Sequence, residues 1–375
     1  MKGNRRGEGN RNNVGYENGT GYGSNAGNGN QAGYNAEQVS YYSSSGSYNG
    51  PYGAPGGGAS NGNVAGGTGQ GSGKKPKKKK KRSRVGDAIS VIVMAAAFCV
   101  FVYAGYMLYG YYKEYKKADD AYASLENYAT AADEEETETE DLEALEEAFE
   151  EAEDTGDEDA IAQILSGREV RTVVVAGEEV TLPVMESPVD FESLQEINSD
   201  IVGWIKIRAL DLSYPVVQGE DNDYYLHRSF EQEELFAGCL FMHYENESDF
   251  SDQNTIIYGH NMKNGSMFGS LKKFRDEEVY KTSKYFWIYT EDVIYMYRIF
   301  SARVVNKVGQ PYQIVFTDEE FEEFLTTAME ESEVDNTNVT VSTDDKVVTL
   351  STCTGDSATR FIVQGKLTQM YAVKK

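Results

Sequence analysis

The chain carries three cysteines and three histidines, and one of each sits where covalent chemistry could use it. Cys353 ends the run Val347-Val-Thr-Leu-Ser-Thr-Cys353, whose apolar and β-branched residues predict a strand leading up to the thiol. Thr354-Gly-Asp-Ser-Ala-Thr359 then supplies turn residues, and Arg360-Phe-Ile-Val-Gln364 starts a second strand. This spacing puts Cys353 at the mouth of a hairpin with the Arg360 guanidinium near the start of the neighbouring strand. A thiol attacks as its thiolate, so a partly exposed strand end beside a cation suits a nucleophile. A strand cysteine is more often a packing residue, so Cys353 alone decides little. The second group is His260. It follows the apolar run Asn254-Thr-Ile-Ile-Tyr-Gly259 and precedes the loop residues Asn261-Met-Lys-Asn-Gly265. Acyl transfer to a thiol needs a proton donor for the departing amine, and imidazole is the common choice.

The other thiols and imidazoles have simpler readings. Cys239 lies in Gly238-Cys-Leu-Phe-Met242 and reads as a buried structural thiol, and Cys99 falls in a long apolar run. His227, in Tyr224-Tyr-Leu-His-Arg228, and His243, in Phe241-Met-His-Tyr244, read as packing or surface residues. Three distant cysteines make no disulfide framework. No His or Cys spacing matches a metal site, so neither a metal nor an organic cofactor is expected.

The elements that must position these groups begin at Val170. Short apolar or alternating runs recur at 170–175, 202–207, 214–218, 238–244, 254–258, 285–289, 293–305, 347–353 and 360–372. Their spacing predicts an antiparallel barrel or sandwich. Helices are expected over 190–197 and 265–274, and over 317–329, where Thr317-Asp-Glu-Glu320 forms a capping-box pattern. Residues 170–375 are enough for one catalytic domain with its own core.

The N-terminal half is of another kind. Residues 1–86 are rich in Gly, Asn, Ser and Tyr and nearly lack Leu, Ile and Phe, so no packed core is expected there. Nine Lys or Arg crowd residues 74–84, directly before an uncharged run at 88–112. That run, within a span expected over 87–112, is long enough to cross a bilayer and ends in a cluster of tyrosines. Its length and distance from the N-terminus disfavour a cleaved signal peptide. The basic block predicts a cytoplasmic N-terminus, an external C-terminal domain and contact with lipid headgroups. Residues 113–169 then read as an acidic, partly helical spacer, with 17 of the 27 residues from 133 to 159 being Asp or Glu. The net charge of −26 gives no support for binding nucleic acid.

Thr349-Leu-Ser-Thr-Cys353, with Arg360 on the next strand and Tyr258-Gly-His-Asn-Met262 before it, resembles the sortases, and class B in particular. The resemblance extends over about residues 190–372, through Asn198-Ser-Asp-Ile-Val-Gly-Trp204, Tyr214-Pro-Val-Val-Gln218 and Asp221-Asn-Asp-Tyr-Tyr-Leu226. It implies an eight-stranded antiparallel sortase-like barrel with accessory helices, which the single transmembrane helix and the disordered tail read above from composition would precede. It also implies a cysteine transpeptidase that cuts a sorting motif of the Asn-Pro-X-Thr kind, near the C-terminus of a secreted protein, after Thr. The acyl group would pass to an amine of a peptidoglycan precursor or of a pilin lysine. Cys353 would be the nucleophile, His260 the proton donor and Arg360 the partner of the substrate backbone or oxyanion. Ser351, Thr352, Asn261 and Tyr244 would line the substrate groove. His243 departs from the pattern, where relatives more often carry an acid, and the Cys353–Arg360 loop is short. Two other readings keep the same residues: a cysteine hydrolase that releases the acyl group to water, and a membrane-tethered binding module in which Cys353 is incidental.

Overall fold

The computed structural model describes residues 84–129 and 137–375; the expected unstructured tail lies, up to Ser83, outside the described residues. Three helices open the described chain: α1 (Arg84–Glu126), α2 (Thr137–Thr155) and α3 (Glu158–Leu165). A hairpin follows, β1 (Val170–Val175) and β2 (Glu178–Met185), and then α4 (Phe191–Ile197), capped by the Asp190 side chain on the Ser193 N–H. The remaining elements are β3 (Ile201–Ile207), β4 (Leu212–Val217), β5 (Leu240–Met242), β6 (Asn254–Tyr258), α5 (Glu277–Thr282), β7 (Tyr285–Tyr289), β8 (Val293–Asn306), α6 (Asp318–Glu330), β9 (Val347–Cys353) and β10 (Thr359–Val373).

Eight of the strands close into a barrel. Their order is β10-β8-β7-β3-β4-β5-β6-β9, and β9 pairs back onto β10. The β1–β2 hairpin attaches outside through a short pairing of β2 with β10. The barrel is mixed and not wholly antiparallel, because β4 runs parallel to β5 and β6 parallel to β9. A parallel pair cannot be joined by a tight turn, so a long crossover must carry the chain back. Residues 218–239 do this between β4 and β5 and contain a 3-10 turn at Tyr224–His227. The strand pattern at 178–185 escaped the sequence reading because Glu178 and Glu179 blunt its start and Pro183 interrupts its donors.

Large aromatic residues of the barrel strands are buried, with Trp204, Trp287, Tyr285 and Tyr297 at most 2% exposed. α6 begins with the expected capping box, in which Thr317 and Glu320 each satisfy the other's backbone N–H. Its Phe321, Phe324 and Leu325 pack with Phe300 and Phe316 in a satellite core.

The expected acidic spacer does not stand apart from the domain. Leu142, Leu145 and Phe149 of α2 lie buried in the main core, together with Ala118, Tyr122 and Leu125 from the end of α1. One carboxylate is buried with them. Glu146 accepts from Trp287 Nε1 (2.7 Å), Ser283 Oγ (2.8 Å) and Arg208 Nη1 (2.5 Å). Burial pushes its carboxyl above the usual range, against the opposing effect of these donors. The helix is acidic on its outer side and apolar beneath, and the outer side dominated its composition. The N-terminal part of α1 is different. It is long and apolar enough to cross a membrane, and its large apolar side chains from Ile89 to Tyr112 are exposed.

Candidate active site

The parallel pair β6–β9 sets the geometry. Tyr258 pairs with Ser351 in register, and the ladder continues one step as Gly259 N donates to Ser351 O (3.1 Å). His260 is two residues beyond Tyr258, and Cys353 is two residues beyond Ser351. The alternation of side chains therefore brings His260 and Cys353 to the same level, at the C-terminal ends of neighbouring parallel strands. On the other side of β9, Arg360 pairs directly with Cys353 across the antiparallel β9–β10 ladder. β9 thus carries the thiol between the strand that delivers the imidazole and the strand that delivers the guanidinium. All three residues line one cleft, of about 290 Å³, together with Ser351, Thr352, Leu226, Phe241, Tyr258 and Gly259.

Gly259 is required by close approach, not by flexibility. A Cβ there would come within 2.4 Å of Leu240 Cδ2 and 2.7 Å of the Phe268 ring. The residue before the histidine must be Gly for β6 to end against the core.

Each group is held differently. Cys353 is partly exposed, and Arg360 is nearly buried with its Nη1 donating to Thr359 O (2.8 Å). His260 Nε2 lies 2.7 Å from Leu226 O. A carbonyl only accepts, so Nε2 carries a proton and Nδ1 is the nitrogen that titrates. Burial lowers the His260 pKa below the ordinary imidazole value; the bond to Leu226 opposes this and the nearby His227 adds to it.

Of the expected groove residues, Ser351 and Thr352 line the cleft. Ser351 Oγ is paired with Tyr312 OH (2.9 Å), whereas the buried Thr352 Oγ1 has no hydrogen-bond partner among the described residues. Asn261 and Tyr244 do not line it. Asn261 Nδ2 donates to Cys353 O (2.6 Å), tying the loop after the histidine to the backbone of the cysteine. Tyr244 is exposed and stacks on His243 (5.1 Å).

Several residues at the site went unread in the sequence. His227, expected to be a packing or surface residue, stacks on the His260 ring at 5.6 Å, and Phe236 stacks on it at 6.4 Å. Tyr312 stacks on Tyr258 and reaches the strand of the thiol through Ser351, its phenol pushed up to about 12 chiefly by burial. These residues arrive on crossover loops, where no periodic pattern marks them.

A family model described as "Sortase domain" matches residues 205–368. Sortase B of Listeria monocytogenes is 37% identical over 182 residues, covering 48% of this chain and 74% of that protein. The chain belongs to the sortase family, in class B. Sortase B of Staphylococcus aureus is 34% identical over 181 residues, covering 47% of this chain and 74% of that protein. A solved sortase B from Bacillus anthracis, in complex with AAEK2, shares 37% identity, covers 56% of this chain and 94% of that one, and superimposes with a TM-score of 0.45. This sortase is accordingly a cysteine transpeptidase that acts on sorting motifs.

Proposed function

We propose that this sortase is anchored in the membrane by α1, with its N-terminus cytoplasmic and its barrel outside, and that it joins secreted proteins to an amine acceptor. The observation that carries the reading is the shared level of Cys353, His260 and Arg360 on three adjacent strand ends. The Cys353 thiolate attacks the carbonyl carbon of Thr in an Asn-Pro-X-Thr-like motif. The carbonyl oxygen takes up the negative charge, and the Arg360 guanidinium stabilises it. The tetrahedral carbon collapses, the C–N bond breaks, and His260 gives its proton to the departing nitrogen. The thioester is then attacked by an amine of a peptidoglycan precursor or a pilin lysine. His260 takes the amine proton, an amide forms and the thiolate is restored.

The test uses the full chain in detergent with a fluorogenic Asn-Pro-Gln-Thr peptide, with and without an added amine. Product masses are followed for the wild type and Cys353→Ala. Cysteine-dependent cleavage with the amine found in the product supports the reading. Free acid as the sole product in every amine tried would refute the acceptor assignment, and cleavage by Cys353→Ala would refute the nucleophile. Orientation is read separately, by whether protease added outside spheroplasts releases the barrel.

A further inference from the structure

His260 stands at the start of a loop, and a loop imidazole needs outside support to hold one orientation. Its support comes from the 218–239 crossover. Leu226 O accepts from Nε2, and the His227 and Phe236 rings stack on the imidazole. The two arms of this crossover are joined to each other, because Leu235 N donates to His227 O (2.9 Å) and Cys239 N to Tyr225 O (3.0 Å). Gly238, at φ +58°, lies so close to Leu226 O that a Cβ would stand 2.5 Å from it. A shift of the outer arm is therefore a shift of the carbonyl that His260 uses.

That outer arm is held by α1. The Tyr115 ring meets the Phe236 ring edge-on at 6.4 Å, and Lys117 Nζ donates to Glu234 O (2.7 Å). The Tyr122 hydroxyl donates to Gly238 O. Asp119 receives Asn264 Nδ2 (3.1 Å), fixing the loop that follows His260. Residues 115–122 of one helix thus grip both segments that flank the imidazole. The same helix runs without interruption into the exposed apolar span, and Tyr115 is three residues past Tyr112, about 4.5 Å of helical rise.

We propose that the juxtamembrane turns of α1 are a positioning element for His260, with Phe236 holding the imidazole and Tyr115 holding Phe236. The helix that leaves the membrane span then serves the active-site scaffold through residues 115–122 and is not only a tether. This inference rests on the proton-donor role proposed above for His260. Phe236 and Tyr115 touch no reacting atom; they act through the orientation of the ring, where small misplacements are costly.

The experiment compares the full chain in detergent with Phe236→Ala, Phe236→Tyr, Tyr115→Ala and a Gly-Ser insertion between Tyr112 and Lys113. Phe236→Ala should lower kcat by about tenfold or more with KM within about twofold, the pattern of a misoriented group. Phe236→Tyr should restore it, Tyr115→Ala should lower it several-fold, and the insertion should leave it unchanged. Histidine ring NMR signals, assigned through His260→Gln, should show the His260 signal moving in Tyr115→Ala while that of His243 stays. Unchanged kcat and an unmoved His260 signal in both alanine variants would overturn the proposal, as would a failed rescue by Phe236→Tyr. A wild type inactive on every sorting peptide would instead refute the function proposed above, and the His260 signal would still decide this inference.

Discussion

Replacing Phe149 by Ala tests whether the acidic segment belongs to the folded domain. Phe149 is fully buried, and it sits in the main core cluster with Leu142, Leu145 and Leu125. Removing a buried Phe side chain forfeits its transfer energy and leaves a cavity, about 3–5 kcal/mol together. In a domain somewhat above 200 residues, each kcal/mol moves the melting temperature by about 2–4 °C, so a fall of roughly 6–20 °C is expected. The control is Glu147→Ala, two positions earlier on the same helix and exposed, which should stay within about 0.5 kcal/mol. The assay is thermal unfolding of the full chain in detergent, followed by near-ultraviolet circular dichroism at matched protein and detergent concentrations. If the segment were a free spacer, both variants would melt with the wild type, and that result would refute the docking of α2. A fragment starting at Val170 should for the same reason be poorly folded, because it bares this patch and strips Trp287 Nε1 of its acceptor.

Three side chains give further outcomes. Glu146→Ala should cost about 1–3 kcal/mol by leaving the buried Trp287 donor unsatisfied, while Glu146→Gln, which keeps an acceptor, should cost less. Because burial raises the Glu146 pKa, its contribution to stability is full below the unfolded carboxyl value and declines as pH rises through the folded one; the difference in melting temperature between wild type and Glu146→Gln should show this step. Asn261→Ala removes the bond that joins the histidine loop to Cys353 O, and kcat should fall about tenfold, the equivalent of about 1.4 kcal/mol. His227→Gln removes a like charge that lowers the His260 pKa, so the alkaline limb of the kcat/KM profile should move to higher pH; an unmoved limb would show that the limb is not set by His260.

The parts of this fold that were legible in the sequence are those written in local pattern. β6, β7 and β9 fall on the residues expected of them, and α6 starts at the capping box that Thr317 and Glu320 announce. Cys353 and Arg360 were legible because both belong to one hairpin, whose turn residues fix the pairing. What was illegible is what long crossovers decide. The parallel pairing of β6 with β9 joins segments almost a hundred residues apart, and no local pattern encodes it. His227 and Phe236 reach His260 on such a crossover, and α2 hides four apolar residues and one satisfied carboxylate in a run that reads by composition as solvated. Asn261 and Tyr244 were expected in the groove from the family resemblance, which fixes where the backbone goes but not what a side chain finds there.

The shared level of Cys353 and His260 depends on the β6–β9 register, and a buried polar layer on the same face of the barrel wall as Cys353 pins that register. Thr349 Oγ1 donates to Asn254 Oδ1 (2.7 Å) and accepts from Gln364 Nε2 (3.0 Å), while Gln364 Oε1 accepts from Arg303 Nη1. Arg303 also donates to Ser301 Oγ (2.7 Å), so side chains from β6, β9, β10 and β8 are joined in one chain of hydrogen bonds. Apolar contacts tolerate sliding, whereas a slip of one residue here would leave buried donors and acceptors unpaired and turn every side chain of β9 to the other face. Thr349 lies four residues before Cys353, on the same face of β9, so the pin and the thiol share one alignment. Thr349→Val keeps the shape of the side chain but leaves Asn254 Oδ1 and Gln364 Nε2 each without this partner. At about 1–3 kcal/mol for each unsatisfied buried group, the loss should be roughly 2–6 kcal/mol, with kcat falling in any protein that remains folded. A Thr349→Val chain that melts with the wild type and turns over at its rate would show that apolar packing alone sets the register, and that the level of the thiol and the imidazole owes nothing to the polar layer beneath them.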